Sequence, residues 1–253
     1  MLTNFHGLTG KCFLFLNENI FEQIVLKGKQ RIQKDYLINT FPRFLNLSIF
    51  YAVRLDNFDN FVECLSLCSN LKKLVIYIEN CSHKNLIKAI SSSKDLEMLT
   101  IYSKNRAVTE NFFHYISSNL PNLTYLNLIM SDVTTDLDFG ILCNLSNLET
   151  LKIEQLDVTG TGLGKLCNLK ELYCNGCKNL GEDNLISLLR SASNLELLEV
   201  RRCLKVTNSI INVAIEETKN RKNNLVLRVL VRGTKIQISE IKEKSGFLHL
   251  DFS

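Results

Sequence analysis

Along the chain one pattern of apolar and polar positions keeps returning, Asn/Asp-Leu-x-x-Leu-x-apolar. It reads Leu71-Leu74-Ile76, Leu96-Leu99-Ile101, Leu123-Leu126-Leu128, Leu148-Leu151-Ile153, Leu169-Leu172-Cys174 and Leu195-Leu198-Val200. Asn70, Asp95, Asn122, Asn147, Asn168 and Asn194 stand immediately before the six first leucines. The starts are 25, 27, 25, 21 and 26 residues apart, inside the 20–29-residue window of leucine-rich repeats. A degenerate repeat precedes them (Phe44, Leu47, Ile49). Another follows from Asn224-Leu225, where Arg228 falls on an expected Leu position.

The second half of each repeat has its own signal. Val-Thr pairs stand at Val108-Thr109, Val133-Thr134, Val158-Thr159 and Val206-Thr207, with Leu180-Gly181 in the remaining place. Thr is a good helix N-cap because its oxygen accepts from a free N–H of the first turn. Apolar stripes at helical spacing follow: Phe112, Phe113 and Ile116; Leu185, Leu188 and Leu189; Ile210, Ile211 and Ala214. Each repeat is therefore predicted as a short strand, a turn and a helix. No such repeat buries its apolar side alone, so neighbours must stack. The predicted fold is an α/β leucine-rich-repeat solenoid, a horseshoe with a concave parallel β-sheet and convex helices. Residues 1–43 are predicted as an N-terminal cap, largely helical, with Glu22 to Phe41 a helix leading into the repeats. Residues 44–253 form a domain of about seven to eight repeats, including a degenerate C-terminal cap. The Asn or Asp before each strand is expected to turn the chain and bond its own backbone.

Strand alternation divides the residues by face. The Leu-x-Leu positions point into the core, each burial contributing roughly 1.5–3 kcal/mol. The outward set is Lys73, Val75 and Tyr77; Met98, Thr100 and Tyr102; Tyr125, Asn127 and Ile129; Thr150, Lys152 and Glu154; Glu171, Tyr173 and Asn175; Leu197, Glu199 and Arg201. Tyr and Arg are enriched at binding hot spots because they bury large area and keep a polar handle. Tyr77, Met98, Tyr102, Tyr125, Ile129, Lys152, Tyr173 and Arg201 are accordingly the candidate partner-binding residues. Tyr is also simply a good strand residue.

The fifth and sixth repeats, Leu169-x-x-Leu172-x-Cys174-x-x-Cys177 and Leu195-x-x-Leu198-x-Val200-x-x-Cys203, carry a further cysteine; the second is followed by Val206-Thr207-Asn208. This resembles the cysteine-containing leucine-rich repeat of F-box/leucine-rich-repeat proteins, a ribonuclease-inhibitor-like solenoid, over roughly residues 44 to 235. The other repeats depart from it, with Glu79, Lys104, Ser131 and Leu156 at the Cys position. The resemblance implies a protein-recognition module that holds a substrate for an SCF-type ubiquitin ligase, with a Skp-type adaptor and cullin as partners where an F-box is present. Between Asn17 and Phe44 there is no Leu-Pro start, and the chain has no Trp. The chain is then either the repeat portion of a longer protein or a relative without the docking module. A repeat scaffold that regulates an enzyme or a small GTPase is the alternative function.

Composition narrows this little. Hydrophobic residues make up 45% and charged residues 22%, and the net charge of +4 comes from 30 basic and 26 acidic residues. That balance is too even to predict a nucleic-acid partner, and Lys219 to Lys222 reads as a solvated turn. With only two Pro and no Gly/Ser-rich stretch, no linker is expected. Met1 to Leu16 lacks the marks of a signal peptide, and no apolar run is long enough for a membrane helix. Nine cysteines, an odd number, point to a reducing cytosolic or nuclear compartment. There the Asn-x-Ser/Thr matches at Asn46, Asn80, Asn122 and Asn144 carry no glycan.

Chemical motifs are weak. Cys174 and Cys177 form a Cys-x-x-Cys, but both sit on repeat positions and no second pair has metal-site spacing. Cys64 and Cys68 share a helical face, and Cys68, Cys143 and Cys167 end repeats. Gly160-Thr161-Gly162-Leu163-Gly164-Lys165 lacks the Ser or Thr a phosphate loop needs after its Lys, since Leu166 follows. Its glycines are expected to tighten the turn of the shortest repeat. The four histidines, His6, His83, His114 and His249, share no repeat position. No enzyme activity, cofactor or metal is expected.

Overall fold

The computed structural model describes residues 11–15, 17, 22–27, 33–53, 59–78, 83–103, 110–130, 139–142 and 144–253. They fall into two compact units, Met1–Leu123 with Met130–Asp132, and Thr124–Ile129 with Val133–Ser253.

The first unit holds strands β1 (Gln23–Lys27), β2 (Ile49–Val53), β3 (Lys73–Ile78) and β4 (Met98–Ser103). Helices α1 (Lys34–Thr40), α2 (Asp59–Leu65), α3 (His83–Ile90) and α4 (Glu110–Asn119) alternate with them. β1 pairs β2, β2 pairs β3 and β3 pairs β4, all parallel, with Leu74 against Leu99 and Ile76 against Ile101. The second unit holds β5 (Tyr125–Met130) up to Ile129, β6 (Thr150–Lys152), β7 (Glu171–Tyr173), β8 (Leu197–Glu199), β9 (Leu227–Leu230) and β10 (Leu248–Asp251). These are also parallel and paired in chain order. Helices α5 (Phe139–Leu142), α6 (Glu182–Ser191) and α7 (Asn208–Lys219) belong to it. Both units are α/β leucine-rich-repeat solenoid, one strand per repeat with helical or turn segments between strands.

The leucine positions form the core. Leu71, Leu74, Ile76, Leu96, Leu99 and Ile101 are fully buried in the first unit, as are Leu169, Leu172, Leu195 and Leu198 in the second. The predicted helical stripes are buried too: Phe112, Phe113 and Ile116 on α4, Leu185, Leu188 and Leu189 on α6, and Ile210, Ile211 and Ala214 on α7. Thr207 caps α7, accepting from Ser209 N at 3.3 Å. Ahead of the regular leucines, Phe41 sits among Phe13, Phe44, Phe50 and Phe61 at ring-centroid distances of 5.9, 6.0, 5.8 and 6.4 Å, all edge-on. Edge-to-face geometry suits the ring quadrupoles.

Several expectations need correction. Glu22 to Phe41 is not one helix. Gln23–Lys27 is a strand, with Ile24, Val25 and Leu26 buried, and the helix is confined to Lys34–Thr40. In the degenerate first repeat the core series is Leu47, Phe50 and Ala52, because Phe50 pairs with Leu74. The expected Phe44-Leu47-Ile49 lies three residues early. At the other end Val229 pairs with Leu198, leaving Arg228 opposite Leu197 and exposed, and β10 adds a strand the pattern did not predict. The 21-residue repeat has no α-helix; a 3₁₀ turn at Leu163–Lys165 replaces it. There a Cβ on Gly164 would stand 1.9 Å from Ser187 Oγ, so this glycine is needed for close approach to α6. Val108-Thr109, Val133-Thr134, Glu79, Lys104, Ser131, Cys143, Asn80 and His6 lie outside the described residues.

The asparagines before the strands bond to the preceding repeat where their own backbone was expected. Asn70 Nδ2 donates to Leu45 O at 2.5 Å, Asn168 Nδ2 to Ser146 O at 2.7 Å, and Asn122 Nδ2 to Asp95 Oδ1 at 3.2 Å. At the far end of four strands in the second unit, β6 to β9, the chain passes through a left-handed residue: Gln155 (φ 60°), Gly176 (φ 72°), Arg202 (φ 59°) and Gly233 (φ 76°). Each lies two positions beyond the last core residue of its strand. Three of them donate to the following repeat: Gln155 N to Asn175 O at 2.7 Å, Gly176 N to Arg201 O at 2.7 Å, and Arg202 N to Arg232 O at 2.8 Å.

Two stability outcomes follow. Leu172→Ala removes a fully buried side chain from mid-sheet and should cost about 2–5 kcal/mol in a urea melt; an unchanged midpoint would contradict this core assignment. Gly176→Ala puts a Cβ on a left-handed residue, 3.3 Å from Gln155 Cγ, and should cost about 1–2 kcal/mol. A neutral result would mean that the turn is not held at positive φ.

Candidate functional site

Alternation presents three columns of side chains on the sheet face opposite the core. In the first unit the outermost column pairs Tyr77 with Tyr102 in register. Their rings lie 6.3 Å apart between centroids and 29° from parallel. Both are half-buried, as is Met98 at the other edge of β4. The middle column is more closed than alternation alone predicts: Val75 is 6% and Thr100 3% exposed. Strands about 4.8 Å apart flank a middle residue on both sides, so the open area belongs to the outer columns.

In the second unit Tyr125, Lys152 and Tyr173 come together. Lys152 Nζ stands 3.9 Å from the Tyr173 ring centroid and 5.7 Å from that of Tyr125. A cation over an exposed aromatic face contributes about 0.5–1 kcal/mol, so Lys152 holds both rings in place. Tyr173 Oη donates to Glu171 Oε2 at 3.1 Å. Ile129 is half-buried on β5. Asn127 and Glu199, in the middle column, are each only 8% exposed. Beyond β8, Arg201 Nη1 meets Glu199 Oε1 at 2.9 Å, while its buried Nε has no hydrogen-bond partner among the described residues. The eight candidate residues therefore form two groups: Tyr77, Met98 and Tyr102 in one unit, and Tyr125, Ile129, Lys152, Tyr173 and Arg201 in the other.

The residues missed by sequence reasoning lie past the strand ends. A cavity of about 1070 Å³ in the second unit is lined by Gln155, Lys178, Arg202 and Arg232, which were missed, beside Asn175, Glu199 and Arg201 of the expected outward set. Apart from Glu199 on β8, its residues follow the last core position of a strand, where the leucine pattern is silent.

The cysteines act as structural donors. Cys177 Sγ donates to Ile153 O at 2.8 Å and Cys203 Sγ to Cys174 O at 3.0 Å, the same carbonyl position one repeat back in each case. Cys174 Sγ donates to Glu199 O at 3.3 Å. Burial pushes the Cys177 thiol up to about 12 and Cys174 well above its ordinary value. Both therefore stay protonated at neutral pH, the opposite of what metal ligation or nucleophilic attack requires. Cys68, also held up to about 12 by burial, donates to Cys64 O at 3.3 Å. Cys167 is exposed. Among the described residues no group of three metal-donor side chains occurs. Nor is any of their helices long and apolar enough to cross a membrane.

The Tyr173 phenol is pushed up to about 12 from an ordinary 10.0, by burial first and then by the Glu171 carboxylate. A raised value means the folded state keeps a proton the unfolded state releases. Its contribution is present below pH 10 and lost as pH rises toward 12. The chain has seven Tyr and no Trp, so ultraviolet absorbance reports phenols alone. The difference between wild-type and Tyr173→Phe titrations should centre near 12, and Glu171→Gln should move it down. A difference curve centred near 10 would remove this account of the site.

No family model matches the chain, and no curated protein matches it. Among solved structures it is similar to internalin C2 from Listeria monocytogenes, with a TM-score of 0.47, 15% identity, and coverage of 87% of this chain and 84% of that one. It is also similar to a chain of the Rad7 and Elc1 complex in yeast, with a TM-score of 0.47, 14% identity, and coverage of 88% and 73%. A third similar structure is the functional domain of InlJ from Listeria monocytogenes, described as including a cysteine ladder, with a TM-score of 0.43, 13% identity, and coverage of 85% and 54%.

Proposed function

We propose that the chain is a protein-recognition module whose partner lies across the open sheet face, contacting Tyr77, Met98 and Tyr102 in the first unit and Tyr125, Ile129, Lys152, Tyr173 and Arg201 in the second. The observation that carries this reading is the pre-set aromatic surface. Tyr77 and Tyr102 stack in register, and Lys152 fixes Tyr125 and Tyr173. Rings already held in place lose little entropy when a partner covers them.

The cysteine-containing repeats that resemble those of F-box/leucine-rich-repeat proteins extend the reading to the substrate-recognition part of an SCF-type ubiquitin ligase in the cytosol or nucleus. A second reading, a repeat scaffold that regulates an enzyme or small GTPase, is favoured by one feature. The segment from Asn17 to Phe44, which has no Leu-Pro start, contains strand β1, paired with β2 as part of the repeat sheet.

The test is capture of partners by the tagged full chain from a eukaryotic lysate, scored by mass spectrometry. Recovery of a Skp-type adaptor and a cullin supports the ligase reading; a reproducible partner without them supports the scaffold. In either case Tyr102→Ala should reduce capture of that partner about tenfold, the scale of a moderate hot spot, with the melting temperature nearly unchanged. Equal loss of capture and of stability would overturn the face as the binding surface.

A further inference from the structure

We infer that the cavity past the strand ends of the second unit is an acidic-peptide subsite, taking carboxylate side chains of a partner segment. This rests on the protein-recognition reading and names the chemistry of one part of it.

The cavity arises from the turn geometry. In successive repeats the chain leaves its strand and enters a left-handed residue, Gln155, Gly176, Arg202 or Gly233. These turns stack through backbone bonds, and the bond from Arg202 N to Arg232 O, 2.8 Å, sets two arginine-bearing backbones side by side. The Arg202 stem packs over the neighbouring turn, where a Cβ on Gly233 would meet its Cγ at 3.3 Å. A volume of about 1070 Å³ suits a peptide segment more than a single small anion, since drug-sized ligand pockets run from about 300 to 1,000 Å³.

The lining contains Lys178, Arg201, Arg202 and Arg232 against the carboxylates of Asp157 and Glu199. Both carboxylates are already engaged. Asn179 Nδ2 donates to Asp157 Oδ1 at 2.5 Å, and Glu199 holds Arg201. That leaves more cations than anions in the lining. Lys178, Arg202 and Arg232 are exposed, and none forms an ion pair among the described residues. Guanidinium forks match carboxylates in bidentate geometry, and the forks of Arg202 and Arg232 are open to solvent. An acidic partner segment supplies what these groups lack. The site also continues from the tyrosine group, because Arg201 belongs to both.

The probe is a fluorescein-labelled hexaglutamate peptide, followed by anisotropy with the full chain, beside its hexaglutamine counterpart. The glutamate peptide should bind at least about tenfold tighter, and binding should weaken as salt rises from about 50 to about 300 mM, where screening shortens the reach of exposed charges. Arg202→Glu with Arg232→Glu should weaken it at least about tenfold, and Arg202→Gln with Arg232→Gln by less, both with unchanged circular dichroism. Arg190→Glu on α6, which does not line the cavity, should leave it unaltered. Equal binding of the two peptides, or equal loss with Arg190→Glu, overturns the subsite. Tyr102-dependent capture with no hexaglutamate binding would sink this inference and spare the recognition reading. Hexaglutamate binding without any captured protein would do the reverse.

Discussion

Within each unit everything depends on one constraint, the in-register parallel pairing of successive strands. Because a residue in one repeat always faces its equivalent in the next, side chains become columns. A leucine column makes a continuous core, and a polar column makes a hydrogen-bonded ladder or a buried penalty. The pairing does not stop where the strands do. In the second unit Ile153, Cys174, Val200 and Val231 donate to Tyr173, Glu199, Leu230 and Asp251 respectively, all at 2.8–2.9 Å. The left-handed residues beyond them carry the ladder further. A backbone held this far has no slack for a slipped register, which would turn every leucine outward.

The same constraint explains why polar groups with few options sit where they do. A carbonyl at the end of a strand faces the interior of its own repeat and must find a donor. Cys177 and Cys203 provide it with a thiol, small and apolar enough for the core yet able to donate. The asparagines before the strands serve the opposite edge, reaching back to the previous repeat as Asn70 does to Leu45. Both residue types span repeats, so truncating either would loosen a joint between neighbours rather than a single repeat.

How much of this was legible follows from which columns are uniform. The six regular repeats were readable because Leu recurs at Leu71, Leu96, Leu123, Leu148, Leu169 and Leu195, and the burial of every one agrees. The ends were misread because aromatic and β-branched residues replace the leucines. Phe50 and Ala52 fill the core positions of β2, and Val229 and Val231 those near β9. The strand Gln23–Lys27 has too few residues to be told from a helical segment by periodicity. The closed middle column, Val75 and Thr100, was missed because alternation gives direction but not coverage. The cation-lined cavity was invisible because it depends on left-handed turns, and two of the residues that adopt them, Gln155 and Arg202, are not glycine.

On the proposed recognition reading, specificity resides outside the columns that the stack commits. Core positions admit only residues that fill the stack, and the joint asparagines are committed to neighbouring repeats. What remains are the outer columns of the open face and the positions just past the strands, where Tyr77 and Tyr102 stand in one unit and Tyr173, Arg201, Arg202 and Arg232 in the other. On such positions a substitution changes chemistry without disturbing the ladder. Arg202 unites the two demands: its backbone donates in the ladder while its side chain lines the cavity. A partner that used it would be reading a residue in which, as at Gln155, the repeat's structural geometry and its side-chain chemistry meet.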